Sequence, residues 1–242
     1  MEFYKYEATQ NDFILTLNQT FLKEQIVKLC NVHQGIGADG LINIDNLRDI
    51  TIYNQDGSTA NMCGNGLRCV AHLLYELTAQ TTNKVSINNR PFFLTWINPH
   101  LTQVSLTSPS FIKKNAAPYN GYFVDVFNTH FIMFVEDVEQ FIFDEQLKRF
   151  SKENHCNIEI IKLIDSQNIK VRVYEYGVGE TSSCGSGALA CFYLLSQFKC
   201  VKNHLNVHLL GGTLEVFTAN EGYFLKGPVN YLYKGEFEDE QL

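Results

Sequence analysis

The chain has 242 residues, 45% of them hydrophobic, with a formal net charge of −7. That supplies a sizeable core, as one large domain or two small ones, while the acidic balance argues against a nucleic acid or an anionic membrane surface as partner. No apolar stretch reaches the ~20 residues that span a bilayer, and an odd count of seven cysteines behind an N-terminus without secretory-signal features points to free thiols in a reducing cytoplasm.

In chain order, the strand-like segments of the first half are DFILTL (12–17), LINI (41–44), ITIYN (50–54), KVSI (84–87), FFLTWI (92–97) and VSLT (104–107). Those of the second half are GYFVDVF (121–127), FIMFV (131–135), NIEIIKLI (157–164), IKVRVYEY (169–176), LNVHLL (205–210), GTLEVF (212–217) and YFLKG (223–227). Many alternate apolar with polar residues, the period of half-buried strands. FLKEQIVKLC (21–30) reads instead as an amphipathic helix with Phe21, Leu22, Gln25, Ile26 and Leu29 near one face. The class expected is α+β with mostly antiparallel sheet.

An internal repeat gives the organisation. CGNGLRCVAHLLYEL begins at Cys63 and CGSGALACFYLLSQF at Cys184, 121 positions later. Leu67, Val70, Ala71, Leu74 and Leu77 recur at helical spacing after the first motif, and Ala188, Cys191, Phe192 and Leu195 after the second. Each motif therefore sits where a loop turns into a helix with one buried face. A seam is expected at Ser108–Gly121, where Pro, Asn, Lys and Gly collect without apolar period. The expected domains are 1–112, onto which 229–242 packs, and 113–228, with the two helix N-termini around a shared cleft. The acidic end GEFEDEQL (235–242) is expected to fray.

The first four N–H groups of a helix lack intrahelical partners, and the macrodipole adds about half a positive charge there. Glycines flanking Asn65 and Ser186 let the backbone come close to a ligand, so a carboxylate can be cradled without a basic side chain. The same field favours thiolate over thiol, from an ordinary ~8.5 toward ~3.5–7.5. Cys30, Cys69, Cys156, Cys191 and Cys200 are better read as small buried hydrophobes. The cysteine spacing fits zinc poorly, and neither motif is followed by the Lys of a phosphate loop.

Beyond the two long motifs the sequence carries NDF (11–13), HQGIGADGL (33–41), YNQDGS (53–58), NTH (128–130), CNIE (156–159), RVYEYGVGETSSCGSGA (172–188) and GP (227–228). In that order the set resembles the diaminopimelate epimerase family, cofactor-independent amino-acid epimerases and racemases with two cysteines. The resemblance implies two pseudo-symmetric domains, each a mostly antiparallel sheet around a central helix, and neither pyridoxal phosphate nor metal. It implies that Cys63 and Cys184 are the acid–base pair, taking the α-proton from one face and returning one to the other, in a site that stabilises carbanion character. Amides around Gly64, Asn65, Gly185 and Ser186 would hold the α-carboxylate. Asn11, Asn54, Asn128 and Asn157 match substrate-contacting asparagines, and His130 and Glu175 the polar pair beside the thiols. The resemblance also admits a homodimer.

Two positions depart from the family pattern. Where the family reads E-R-G this chain reads Glu175-Tyr176-Gly177, and the resemblance gives that arginine the distal carboxylate of diaminopimelate. A phenol does not reproduce a bidentate guanidinium contact, and losing such a contact to a buried carboxylate costs on the order of 2–5 kcal/mol. Arg172 is no substitute, because the family already has an arginine there. The family's G-N-P-H is here Phe127-Asn128-Thr129-His130. The default expectation is conversion of LL- to meso-diaminopimelate for lysine and cell wall. The rival is a racemase for another amino acid, such as histidine, and the alternative of another class is a non-catalytic homologue that binds a small carboxylate.

Overall fold

A computed structural model describes residues 1–115, 117–220 and 222–237. It divides into two compact units, 1–105 with 227–242 and 106–226, the divisions lying beside Ser105 and Lys226.

The first unit begins with β1 (Glu2–Ala8) and β2 (Asn11–Leu17), then α1 (Lys23–Cys30), β3 (Gly40–Asp45), β4 (Asp49–Asn54) and the short β5 (Thr59–Ala60). The long helix α2 (Gly64–Thr78) follows, and then β6 (Thr82–Ile87), β7 (Arg90–Asn98) and β8 (Leu101–Leu106). β1 and β2 pair antiparallel, β2 and β3 parallel with α1 as the crossover, and β3 and β4 antiparallel. β4 then meets β6 in parallel across α2, and β6, β7 and β8 run antiparallel. α2 packs against strands from both ends of this order, β1 and β2 on one side and β6 and β7 on the other. Its residues Leu67, Val70, Ala71 and Leu74 are buried in the centre of the unit.

The second unit repeats the plan. It contains β9 (Phe111–Asn115), β10 (Gly121–Val126), β11 (Asn128–Phe134), α3 (Glu145–Asn154), β12 (Cys156–Asp165), β13 (Asn168–Glu175) and the short β14 (Gly179–Thr181). After α4 (Gly185–Gln197) come β15 (His204–Leu209), β16 (Gly212–Ala219) and β17 (Gly222–Pro228). β11 and β12 pair in parallel through α3, and β13 and β15 in parallel through α4, with antiparallel pairs elsewhere. α4 packs on β10, β11, β12, β15 and β16. β18 (Asn230–Glu236) returns to the first unit and pairs with β1, as β9 pairs with β10. The fold is α+β, two sheet-dominated units each built on a central helix.

Several local expectations give way. The segment read as a seam contains β9, held by Phe111 opposite Asp125 and Asn115 opposite Gly121; Ala116 lies outside the described residues. Leu22 is not on the buried face of α1 but is its exposed N-cap, and Gln25 uses its side chain to accept the Leu22 N–H at 2.7 Å. Leu77 is exposed at the end of α2. At the C-terminus, Gly235 and Glu236 belong to β18 and the Phe237 N–H donates to the Met1 carbonyl at 2.7 Å; residues 238–242 lie outside the described residues.

Candidate active site

In the first unit Cys63 is the N-cap of α2, and its Sγ accepts the Gly66 N–H at 3.3 Å. The thiol thereby occupies the place a serine or aspartate cap usually takes, at the positive end of the helix. Gly64 and Asn65 form the buried first turn. A side chain at Gly66 would put its Cβ 2.6 Å from Ile42 Cδ1, the end of a side chain, and 3.6 Å from Cys63 Sγ. Asn65 Nδ2 reaches Asn11 Oδ1 at 3.4 Å, and Asn11 Nδ2 donates to Asp39 Oδ2 at 2.8 Å. Cys63, Gly64, Asn65 and Asn11 thus gather at one helix end. Asn54 is tied into its own turn, donating to Ser58 Oγ at 2.9 Å. Behind the motif Arg68 is fully buried and donates from Nη2 to Thr9 Oγ1 at 2.9 Å. Burial pulls its guanidinium down to about 10.

Cys184 occupies the same place on α4. Its Sγ accepts the Gly187 N–H at 3.4 Å and lies 3.4 Å from Ser186 Oγ, with Gly185 and Gly187 buried in the first turn. The surroundings differ from those of Cys63: the position matching Arg68 is Leu189, and carboxylates stand nearby instead. Burial first, then the charges of Glu175 and Glu159, push the Cys184 thiol well up, against smaller downward pulls from Ser186 and the Gly187 N–H. The lowering expected from a helix end therefore does not apply to Cys184, because desolvation and two carboxylates outweigh a partial charge. Desolvation also raises Glu175, whose Oε1 accepts the Thr181 hydroxyl.

His130, on β11, has no exposed surface. Its Nδ1 lies 2.6 Å from Glu159 Oε1 and its Nε2 3.1 Å from Asn128 Oδ1. Asn128 follows Phe127, which makes a one-residue turn between β10 and β11 at φ 64°. This is the left-handed region that glycine enters freely and bulky residues enter at a cost, so the family's glycine at this point has a backbone reason and Phe127 departs from it. Asn157, on β12, accepts the Tyr176 N–H at Oδ1 (2.9 Å), while its buried Nδ2 has no hydrogen-bond partner among the described residues. The Tyr176 hydroxyl lies 3.0 Å from Nδ1 of His155, the left-handed C-cap of α3. Arg172 is engaged elsewhere, donating to Glu180 Oε1 at 2.6 Å and to the carbonyls of Val138 and Phe141.

The comparisons with known proteins agree with this architecture. A family model described as diaminopimelate epimerase matches residues 3–91 and 122–232. A diaminopimelate epimerase of Prochlorococcus marinus (strain NATL2A) is 33% identical over 279 residues, covering 98% of each chain. The chain belongs to the diaminopimelate epimerase family. A diaminopimelate epimerase of Campylobacter jejuni (strain 81116) is likewise 33% identical over 249 residues, covering 98% of this chain and 99% of its own. At 10–12% identity the likeness to solved structures concerns the fold. A phenazine biosynthesis protein of the PhzF family from Enterococcus faecalis gives a TM-score of 0.77 with 98% of each chain covered. A hydroxyproline epimerase from Agrobacterium vitis with bound trans-4-hydroxy-L-proline gives 0.73, covering 97% of this chain and 91% of that one. Membership in the diaminopimelate epimerase family makes this chain an isomerase of the epimerase and racemase class.

Two residues near these positions escaped the sequence reading as site residues. Glu159 was visible only as the last letter of CNIE, in a strand whose residues 156–161 are buried on both faces, so no alternation singled it out. His155 ends a helix that was not expected, and only its left-handed backbone and the bond to Tyr176 mark it.

Proposed function

We propose that this protein is an amino-acid racemase or epimerase, independent of pyridoxal phosphate and metal, that inverts an α-carbon with Cys63 and Cys184 as a two-base pair. The observation that supports it most is the repetition at atomic level: in each unit a cysteine caps the central helix and takes the N–H of the glycine three residues on. One thiolate removes the α-proton, the other thiol supplies a proton to the opposite face, and the roles exchange for the reverse direction. Cys184, kept protonated by burial and its carboxylate neighbours, is suited to begin as the acid. Cys63, at a helix end with the buried Arg68 behind it, is suited to begin as the base. The first-turn backbone amides around Gly64, Asn65, Gly185 and Ser186 receive the α-carboxylate at the positive helix ends.

Diaminopimelate is the substrate favoured by the family and by the relatives' names. A racemase for a neutral polar amino acid such as histidine is kept as the rival on one observation: Tyr176, where the family has arginine, is bonded to His155. Asn157 Nδ2, buried and without a hydrogen-bond partner among the described residues, is a donor that would serve either substrate and so does not separate them. Incubation with single L-amino acids and with diaminopimelate in D2O, followed by NMR of the α-proton, separates them: exchange with diaminopimelate alone removes the rival. Cys63→Ser and Cys184→Ser are each expected to abolish inversion in at least one direction. Full activity in both would overturn the mechanism, and no exchange by the wild type with any amino acid would favour the carboxylate-binding homologue. The proposal includes a cytoplasmic location and a homodimer; sedimentation showing monomer alone removes the latter.

A further inference from the structure

Glu159 is the least expected charge in the second unit. It sits on β12 with no exposed surface, and Oε1 lies 2.6 Å from His130 Nδ1 while Oε2 has no hydrogen-bond partner among the described residues. One donor atom each of His130, Glu159 and Cys184 fall within 4.8 Å of one another. The groups whose titration feels Glu159 are the thiols of Cys156, Cys184 and Cys191 and the carboxyl of Glu175, from β12, α4 and β13. None of these supplies a positive charge. A wholly buried carboxylate requires a partner charge and hydrogen bonds, and His130 is the basic side chain bonded to it. Both ring nitrogens of His130 face oxygens, Glu159 Oε1 at one end and Asn128 Oδ1 at the other. A carboxylate and an amide oxygen only accept, so the ring satisfies both by carrying two N–H groups.

We propose that Glu159 is a positioning residue for the reaction, holding His130 as an imidazolium with Nδ1–H on Glu159 and Nε2–H on Asn128, beside the Cys184 thiol. The pair is then neutral as a whole while Cys184 keeps its proton. When Cys184 gives that proton to the carbanion, the S–H bond breaks, the new C–H bond forms, and the sulfur retains the electron pair as thiolate. The three groups then carry one net negative charge, and the imidazolium, within 4.8 Å of the sulfur, attracts it without moving. The inference rests on the racemase reading for its role in catalysis, but not for the ring's protonation.

The test is 15N NMR of the histidine rings in the full chain, with His130 assigned through His130→Gln. In the wild type at pH 7 both His130 nitrogens are expected at protonated-type shifts; one bare nitrogen overturns the proposal. In Glu159→Gln, which keeps the shape and removes the charge, one nitrogen is expected to become bare at pH 7, and a ring unchanged from the wild type overturns it. If the variant does not fold, the wild-type ring decides alone. With substrate, Glu159→Gln is expected to lower kcat at least about tenfold, within the ~10²–10⁴ that a positioned proton-transfer group contributes, with KM within about twofold. A KM effect alone counts against it. Should the wild type racemise nothing while the ring signals hold, the racemase reading fails and the pair stands.

Discussion

At the scale of single residues, the second glycine of each motif separates two kinds of close approach. A Cβ on Gly187 would lie 2.5 Å from Glu159 Oε1 and 3.2 Å from its Cδ, so Gly187→Ala must displace the buried carboxylate that holds His130. A Cβ on Gly66 would meet the end of the Ile42 side chain at 2.6 Å, which can turn aside. Overpacking of this kind costs ~1–3 kcal/mol. Gly187→Ala is expected toward the upper end and Gly66→Ala toward the lower, read as the shift of the urea midpoint at unchanged slope; equal losses would mean that the Glu159 contact is not what excludes a side chain. The sequence made the cysteines and their glycines legible, because a doubled C-G-x-G before helical spacing has few other uses. Glu159 was hidden by a strand buried on both faces, where the period of two carries no information. The direction in which Cys184 shifts was also out of reach, since it depends on carboxylates brought in from β12 and β13.

At the scale of elements, most strands followed from alternation, but α3 did not. Its sequence EQLKRFSKEN is largely polar, and only Leu147, Phe150 and Ser151 are buried. What makes it a helix is its ends and its packing. Asp144 caps it, accepting the Leu147 N–H at 2.8 Å, with Glu145 in the first turn and Lys152 in the last. Phe150 joins Phe131, Phe123 and Tyr119 in an aromatic cluster. His155 closes it at φ 49° and thereby presents its ring to Tyr176. Asp144→Ala is expected to lose ~1 kcal/mol, measured by urea unfolding, and to leave Cys63 alkylation unchanged, since that residue belongs to the other unit. A loss below about 0.3 kcal/mol would assign α3 to tertiary packing alone. β9 was missed for another reason: FIKKN sets two large apolar residues, Phe111 and Ile112, side by side before two lysines, so no alternation shows, and its pairing with β10 comes from backbone bonds that composition does not announce.

At the scale of the whole molecule, the repeat runs through the entire strand order, which the two motifs alone only suggested: each unit has the same parallel crossings, the first through α1 or α3 and the second through α2 or α4. The same construction buries thiols in both units, and this makes stability depend on alkali. Burial pushes Cys30 up to about 11 and Cys156 to about 12, and raises Cys69, Cys184 and Cys191 as well. In the unfolded chain these thiols ionise near 9, so between that value and their folded values the folded protein binds more protons than the unfolded one. Stability then falls as pH rises, by up to ~1.4 kcal/mol per pH unit for each such thiol. Below pH 8 the thiols are protonated in both states and contribute no slope. Tyr6, raised in the same direction by burial, joins only above pH 10, so the measurement belongs between 8 and 10. Urea midpoints taken there under reductant are expected to fall with pH, and Cys30→Ala with Cys156→Ala to flatten that fall by about two thiols' share, whatever they cost at pH 7. A wild-type profile that is level from 8 to 10, or an equally steep profile in the double variant, would remove these thiols as the source.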